Sequence, residues 1–559
     1  MIRDRLAAAV RTAALAVAGD ALPEGMPAIL VERPARKEHG DWSANAAMML
    51  AKPLGRPPRA IAQQIVDALE PMPEVGRVEI AGPGFINFTL TADWLAGVVR
   101  DIEQAGPAWG RHREPDGESV NVEFVSANPT GPLHVGHARW AALGDALAAM
   151  LEAAGSVVTR EFYVNDYGRQ MDLFGASIAA RYLTLFGRAA EVPEGGYQGL
   201  YVTDLAEQIK GADGDRYLEM DDDERGKLFR EIGRERMLAH QREVLERFGV
   251  RFDVWFSETA LHESGAVERA LQRLRDGGHT YEQDDALWLR STDFGDDKDR
   301  VVRRGDGTTT YLAPDVAYYL DKRSRGFDRL VYLWGADHHG YVPRMRAVVQ
   351  ALGDEPETVE FLIGQIVNLF RGGEPVRMSK RTGELVTTDE LIDEVGVDAA
   401  RYTLLRQSAD TQIDFDIELV VRQSQDNPVF YVQYAHARIA SIGRHAAEQG
   451  AGRGSVEDAD LSLLRHEAEQ DLLRKIAELP EIVELAARRR APHLLPRYAE
   501  EVAAHFHSFY RDCRVVTDDA ALTDARLHLC EATRITLANT LALLGVSAPE
   551  RMDRIEENE

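Results

Sequence analysis

The chain has 559 residues, of which 45% are hydrophobic and 28% are charged, a composition typical of a globular protein. At about 150 residues per domain, that length predicts roughly four units rather than a single core. The formal charge of −27, from 65 basic and 92 acidic residues, excludes a protein whose whole surface binds nucleic acid. Contacts with RNA would need local basic clusters, such as those near Arg111, Arg344 and Arg488, which solvated helix faces explain equally well.

Nothing in the sequence indicates a membrane or secreted protein. No apolar run reaches the roughly 18 residues that a membrane span requires. The N-terminal apolar stretch is divided by Arg11 and followed by Asp20, which favours an amphipathic helix over a signal peptide. The two cysteines, Cys513 and Cys530, are not a CxxC pair, so neither a disulfide framework nor a cysteine-rich zinc site is expected. These features predict a soluble protein of the reducing cytoplasm.

The first 110 residues are predicted to form a small α/β domain. It has helices at the start, in NAAMMLAKPL and in RAIAQQIVDAL, and strands in AILVE and VEIAGPGFINFTL. The polar segment PAWGRHREPDGE is then a linker. After it, VNVEFV is a strand, HVGHARWAALGDALAAMLEAAG a helix and VVTREFYVN a strand. This βαβ order predicts a parallel sheet that binds its ligand beyond the carboxyl ends of the strands.

The catalytic part of the chain is predicted to span residues 111–390. Its charged, helical stretch from about residue 183 to 276 looks like an insertion between two halves of a sheet. The second half has predicted strands in ALWLRS, RVVRR, RLVYLWG and EFLIGQIV. From about residue 391 the pattern is helical, and it is divided here into segments 391–424 and 425–559.

The strongest motif is PTGPLHVGH, which lies between a predicted strand and a predicted helix. A helix N-terminus offers unpaired N–H groups and a positive dipole to phosphate, and Gly136 allows a nucleotide to approach the backbone. His134 and His137 can donate hydrogen bonds to phosphate oxygens whose charge grows as pyrophosphate leaves. The alternative is a helix cap with two incidental histidines.

HVGH resembles the HIGH signature of class I aminoacyl-tRNA synthetases. Their second signature, KMSKS, is matched about 240 residues later by RMSKRTG, which begins at Arg377. The segment departs from the signature at Arg377 and at Arg381 but retains Lys380, which the resemblance assigns to the ATP triphosphate. An unrelated basic loop is the alternative.

Longer stretches resemble the arginyl-tRNA synthetase family in particular. They are VEFVSANPTGPLHVGHAR, HGDWSANAA, GPGFINF, YLAPDVAYYLDK, WGADHHGYVPRM and NPVFYVQYAHARIASI, which together extend over nearly the whole chain. The resemblance implies a Rossmann-like catalytic domain between an N-terminal α/β tRNA-binding domain and a C-terminal helical bundle. Residues 391–424 would be a helical segment that contacts the tRNA stem, and residues 425–559 would be the bundle that binds the anticodon.

The same resemblance implies substrates and site residues. ATP, L-arginine and tRNA(Arg) are the expected partners of a monomeric ligase, with Mg²⁺ held mainly by the ATP phosphates and with no zinc. His134, His137 and Lys380 would be catalytic, and Pro129, Gly131, Gly136, Asp337, Met378 and Ser379 would bind ATP. Glu123, Asn128, Tyr311, Asp315 and His338 would bind arginine. Asn427, Tyr431, Arg438 and Met552 would face the anticodon region.

Arginine's guanidinium is permanently charged and has five donors, so its pocket needs a carboxylate. Asp315 is the best candidate, although a helix cap after Pro314 is the alternative. His338 and His339 could instead form a turn or a metal-like pair, and Tyr431 could belong to a helix core. The other functions considered are a class I synthetase for another amino acid, a nucleotidyltransferase of the same fold, and a catalytically silent tRNA-binding relative.

Overall fold

The computed structural model describes residues 2–19, 29–34, 36–112, 117–376, 386–422, 424 and 427–552. The chain divides into two compact units. One comprises Met1–Gly106, Ile442–Ala477 and His505–Thr533, and the other comprises Pro107–Ser441, Glu478–Ala504 and Arg534–Glu559. The domain boundaries expected from the sequence remain predictions. Among the described residues, no helix is both long enough and apolar enough to cross a membrane.

The N-terminal part is an antiparallel sheet covered by helices. Its elements are α1 (Ile2–Ala18), β1 (Val31–Glu32), β2 (Trp42–Ala44), α2 (Ala46–Leu54), α3 (Pro58–Asp67), β3 (Val75–Ala81), β4 (Phe85–Leu90) and α4 (Ala92–Ala105). The strand order is β1-β2-β4-β3. Helix α1 is amphipathic, as its sequence predicts, and buries Leu6 and Val10 in one core with Trp42 and Phe88.

The centre of the second unit is a five-stranded parallel sheet. Its first elements are β5 (Ser119–Glu123), α5 (Val135–Ala153), β6 (Val157–Val164), α6 (Arg169–Leu185), α7 (Leu200–Asp213), α8 (Asp222–Arg247), β7 (Val254–Ser257), α9 (Glu258–Glu263) and α10 (Ala266–Asp276). The predicted βαβ unit is present, because β5 and β6 pair in parallel on either side of α5. The stretch predicted as a helical insertion also contains β7, an edge strand of this sheet.

The chain then leaves the sheet and returns to it. The next elements are β8 (Thr280–Gln283), β9 (Ala286–Leu289), β10 (Arg300–Arg303), α11 (Leu312–Ser324), β11 (Arg329–Gly335), α12 (Val342–Ala351) and β12 (Val359–Gly364). The order of the parallel sheet is β12-β11-β5-β6-β7, so the strand order reverses between β5 and β11, where ligands bind in such sheets. Strands β9 and β10, predicted for this sheet, instead pair antiparallel in a separate sheet with β8.

Helices dominate the remainder of the chain. A small sheet with order β14-β13-β15 and three short helices precede the last five described helices. The elements are β13 (Val367–Arg371), β14 (Glu374–Pro375), α13 (Thr388–Val395), α14 (Val397–Leu405), β15 (Ile413–Asp416), α15 (Ile417–Val420), α16 (Pro428–Glu448), α17 (Glu467–Ile476), α18 (Leu479–Arg489), α19 (Leu494–Asp512) and α20 (Ala520–Leu543).

Candidate active site at the carboxyl edge of the parallel sheet

The loop that follows β5 leaves the strand through an unusual backbone conformation. Val125 and Ser126 have φ values of 67° and 39°, and a β-branched residue rarely adopts the left-handed region. The Ser126 hydroxyl donates to a Glu123 carboxylate oxygen at 3.1 Å and accepts the backbone N–H of Tyr163 at 3.1 Å. The surrounding bonds therefore hold a strained turn in place, as is common where a chain reaches an active site.

The HVGH segment forms the N-terminus of α5. His134 is the N-cap residue, and its Nδ1 accepts the backbone N–H of Gly136 at 3.1 Å. Nδ1 of His137 accepts the backbone N–H of His134, also at 3.1 Å, and the two ring centroids are 3.9 Å apart. A neutral imidazole that accepts at Nδ1 carries its proton at Nε2. Each ring therefore carries its proton at Nε2, the atom from which the predicted hydrogen bonds to phosphate would be donated.

The geometry of the turn explains why position 136 is a glycine. A Cβ there would lie 2.9 Å from Cε1 and 3.0 Å from Nδ1 of the His134 ring. The residue therefore leaves room for the imidazole that caps the helix. This is a reason additional to the expected approach of a nucleotide.

The segment that follows the RMSKRTG motif is bonded to the HVGH turn. The backbone N–H of Val135 donates to the Val386 carbonyl at 3.3 Å, and the N–H of Thr388 donates to the Leu133 carbonyl at 2.8 Å. The Thr388 hydroxyl donates to the His134 carbonyl at 3.2 Å. Residues 377–385, which include the predicted ATP ligands Met378, Ser379 and Lys380, lie outside the described residues.

Asp315 lies in the first turn of α11 and faces a pocket of carboxylates. The Tyr341 hydroxyl donates to it. Burial raises the pKa of Asp315 to about 7, and the charge of Glu123 adds to this effect. Burial also raises the pKa of Glu258 to about 7, with contributions from Asp315 and Asp166. A bound guanidinium would stabilise the ionised form of both carboxylates.

Glu258 and Asp166 are pocket residues that sequence reasoning missed. Glu258 is 8% exposed and follows β7, a strand that was not predicted. Asp166 is 1% exposed and accepts from the Ser257 hydroxyl and from the Thr259 N–H at 2.9 Å. Asp166 thus fixes the start of α9, whereas Glu258 faces Asp315. Only the position of Glu258 directly after a short aromatic run, VWFS, could have indicated a strand end here.

The residues expected at the backbone end of arginine have protein partners. Glu123 is buried, and the Nζ of the fully buried Lys322 donates to it at 2.6 Å. Lys322 lies over the Tyr332 ring at 4.1 Å. Asn128 is half-buried and donates to Gln170 at 2.7 Å. A carboxylate has more than two acceptor positions, so Glu123 retains capacity for a further donor.

Three other predicted residues lie at the same edge but are more exposed. Tyr311 precedes α11 and is 84% exposed, so its ring is not packed against Asp315. Asp337 and His338 follow β11, as predicted, with the His338 Nε2 3.5 Å from an Asp337 oxygen. The His338 ring lies 5.6 Å from Trp334. The structure thus places these residues near the sheet's carboxyl edge without enclosing them.

The residues predicted for the anticodon region differ in accessibility. Asn427 is 7% exposed, and its amide donates at 2.8 Å to the carbonyls of Val420 and Arg422, which gives it a structural role at the start of α16. Tyr431 is half-buried. The Arg438 guanidinium lies 4.6 Å from the Tyr434 ring centroid and donates to its hydroxyl at 2.8 Å. The described chain ends at Met552, which is half-buried.

Comparisons with known proteins agree with this architecture. The protein-family model described as "Arginyl tRNA synthetase N terminal domain" matches residues 1–90. The model "tRNA synthetases class I (R), catalytic domain" matches residues 108–421, and "DALR anticodon binding domain" matches residues 432–552. The catalytic model alone covers more than half of the chain. The chain belongs to the arginyl-tRNA synthetase family.

Individual relatives support the same assignment. An arginine–tRNA ligase of Kineococcus radiotolerans is 52% identical over 99% of this chain and 98% of its own length. The corresponding ligase of Geobacillus kaustophilus is 50% identical over 99% of both chains. The structure of the Thermus thermophilus arginyl-tRNA synthetase superposes with a TM-score of 0.77 at 25% identity, covering 99% of this chain and all of that one.

These findings confirm the expected family, fold class and class I enzyme, and they confirm the arginine–tRNA ligase function. A class I synthetase catalytic domain implies the use of ATP, and the ligase function implies arginine and tRNA as substrates. The alternatives of another amino acid or a silent relative are therefore disfavoured.

Proposed function

We propose that the chain activates L-arginine with ATP to arginyl-adenylate at the carboxyl edge of the parallel sheet and then transfers arginine to the 3′ end of tRNA(Arg). The supporting observation is that two carboxylates with raised pKa values, half-buried Asp315 and buried Glu258, lie at the edge that also carries the HVGH turn. A cationic side chain and a polyphosphate thus have separate sites at one edge. In the first step the arginine carboxylate attacks the α-phosphorus, and pyrophosphate leaves.

The ATP side of the reaction relies on positioned donors. The Nε2 protons of His134 and His137 and the N-terminus of α5 stabilise the charge that develops on phosphate oxygens. Lys380 contributes a positive charge to the triphosphate, with Met378 and Ser379 in the same segment. Pro129, Gly131, Gly136 and Asp337 line the nucleotide, in keeping with their positions beside the turn and after β11.

Mg²⁺ would neutralise charge on the triphosphate, which supplies its oxygen ligands. Among the described residues, no group of three or more His, Cys, Asp or Glu side chains is arranged to hold a metal ion.

The arginine side of the reaction relies on buried charge. Asp315 accepts hydrogen bonds from the guanidinium and Glu258 supports it, while Tyr311 and His338 cover it from the exposed rim. Glu123 accepts from the α-amino group, and Asn128 contacts the backbone end of the amino acid. Because Asp315 and Glu258 repel each other, binding a cation relieves a cost already present in the free protein.

The proposed contacts with the tRNA anticodon region lie in the helical C-terminal part of the chain. Tyr431, Arg438 and Met552 are half-exposed, and an arginine stacked on an aromatic ring suits unstacked bases. Asn427 would act by shaping the start of α16, since its amide group is committed to backbone carbonyls. The enzyme is proposed to act as a monomer in the cytoplasm.

The test is ATP–pyrophosphate exchange with each of the twenty amino acids, followed by charging of total tRNA with labelled arginine. Exchange that depends on arginine, together with charged tRNA, is the expected result. Exchange driven by a different amino acid would reject the arginine pocket, and absence of both reactions would indicate a silent relative. Gel filtration with light scattering checks the monomer.

A further inference from the structure

The loop that precedes the HVGH turn is held from outside the parallel sheet. Gln241 on α8 is fully buried, and its amide nitrogen donates to the carbonyls of Asn128 at 3.1 Å and Gly131 at 2.9 Å. The Tyr201 hydroxyl on α7 donates to the Thr130 carbonyl at 2.8 Å. Side chains of the helical insertion therefore hold three of the four carbonyls between residues 128 and 131.

The side-chain amide of Gln241 is suited to binding two loop carbonyls. Two carbonyls converge on one nitrogen, so the group that holds them needs two N–H donors, which a side-chain amide supplies. Its Oε1 is buried and has no hydrogen-bond partner among the residues that the structure describes, which costs free energy. A side chain retained only for packing would not need to bear that cost. The two bonds to the loop are thus what the glutamine contributes.

Gly131 shows how closely the insertion meets the loop. A Cβ at this position would lie 3.2 Å from the Tyr201 hydroxyl oxygen and 3.4 Å from the ring carbon that bears it. The loop carbonyls and the tyrosine therefore have little freedom to separate or to slide past each other.

The same helix also holds the other side of the turn. Arg247, near the end of α8, donates to Asp389 at 2.8 Å and to Asp393 at 2.6 Å, and both carboxylates belong to α13. Helix α13 begins at Thr388, which with Val386 is bonded to the HVGH segment. Helix α8 therefore reaches the turn by two routes, one through the loop before it and one through α13.

From these contacts we infer that α8 positions the HVGH turn for adenylate formation, with Gln241 and Tyr201 as positioning residues. The inference rests on the proposed ATP site at that turn. Each acts through the loop that carries Asn128 and Gly131. Donors stabilise a transition state only if they lie where its charge develops, so a loosened turn lowers kcat more than it raises KM.

Gln241→Met tests this directly, because methionine has nearly the same volume and no donor. We expect kcat of arginine-dependent ATP–pyrophosphate exchange to fall about tenfold, with KM values for ATP and arginine within about threefold of the original. Gln272→Met is the matched control on α10, where the glutamine is exposed and bonds Asp276. It should leave both kcat and KM unchanged.

Tyr201→Phe removes one hydroxyl and keeps the packed ring. It therefore tests the positioning role of the insertion if Gln241→Met does not fold. A roughly threefold lower kcat at unchanged KM is expected. Tyr197→Phe is its control, since the Tyr197 hydroxyl makes none of the hydrogen bonds found in the described part of the chain.

An unchanged kcat in folded Gln241→Met overturns the inference, as does an unchanged kcat in Tyr201→Phe if the first variant fails to fold. Circular dichroism and thermal melting establish which variants are folded. A lower melting temperature with normal kcat would show a merely structural role. Absence of exchange in the unsubstituted chain would overturn the proposed function and this inference together.

Discussion

The carboxyl edge of the parallel sheet carries two regions of opposite electrical character. The Asp315–Glu258 pocket brings together one half-buried and one buried carboxylate, and both carboxyl groups have pKa values raised to about 7. The HVGH turn presents a helix N-terminus and two imidazoles whose Nδ1 atoms are occupied by backbone N–H groups. A bound cation would stabilise the ionised form of the first region, whereas the second is a set of dipoles that is already organised.

Because of this difference, substitutions in the two regions should affect different kinetic constants. Removing one charge from the carboxylate pocket would remove the interaction that we propose selects arginine, so the effect should fall on substrate binding. Disturbing the HVGH turn shifts donors that matter most in the transition state, so the effect should fall on rate. Four experiments, ordered by expected size, test this division.

The largest effect is expected from Asp315→Asn, which keeps the side-chain size and removes the charge. We expect the KM for arginine to rise about 1000-fold, because losing one partner of a buried charged pair costs roughly 4 kcal/mol. The KM for ATP should change little. Asp321→Asn on the same helix, where the carboxylate pairs with Arg325, is the control. Equal arginine dependence in the two variants would remove Asp315 from the pocket.

A smaller effect, confined to rate, is expected from Lys380→Ala. Adenylate formation should fall about 100-fold, since one positioned charge on a transition-state oxyanion is worth roughly 3 kcal/mol. Single-turnover measurement of adenylate gives this rate. Arg377→Ala should cost less, because that position departs from the family signature. Equally small losses at both positions would show that the segment has been misassigned.

Arginine binding should also depend on pH in the range where the two carboxyl groups titrate. A pKa raised to about 7 means that lowering the pH below 7 protonates the pocket and removes its attraction for a cation. Between pH 6 and pH 8 the ionised fraction of one such group rises from about a tenth to about nine tenths. The kcat/KM for arginine should therefore increase about tenfold over that interval. A flat profile, or an unaltered profile in Asp315→Asn, would contradict this explanation.

Motifs and periodicity predicted the parts of the fold whose signals are local. The start of α5, the parallel pairing of β5 with β6, and the position of Asp315 on the first turn of α11 all follow from strand–loop–helix patterns. Glu258 could not be found in this way. It follows β7, a strand of only four residues inside a charged stretch of sequence. The pairing of that strand with the rest of the sheet brings Glu258 close to Asp315.

Other features could not be predicted from the sequence because they also depend on tertiary structure. ALWLRS and RVVRR are predicted as strands of the parallel sheet, but strand propensity does not specify which sheet a strand joins. The first pairs with β8 and the second pairs with the first, in a separate antiparallel sheet. Gln241 belongs to a helix that reads as a solvated, charged segment, and its burial depends on loop carbonyls more than a hundred residues earlier in the chain. Charge and periodicity carry no information about such partners.

The smallest effect is expected from Gly136→Ala, which tests whether the HVGH turn depends on geometry alone. The added Cβ would lie 2.9 Å from the His134 ring, so the imidazole must move and its bond from the Gly136 N–H must weaken. Loss of a capping bond is worth about 1 kcal/mol, which corresponds to roughly fivefold in kcat. Gly97→Ala in α4 is the control, because a Cβ there meets no atom within 4 Å. It should leave exchange kinetics unchanged and raise the melting temperature slightly, since alanine favours a helix over glycine. If Gly136→Ala raises the KM for arginine instead of lowering kcat, the two regions are not separate in the way their electrostatics indicate.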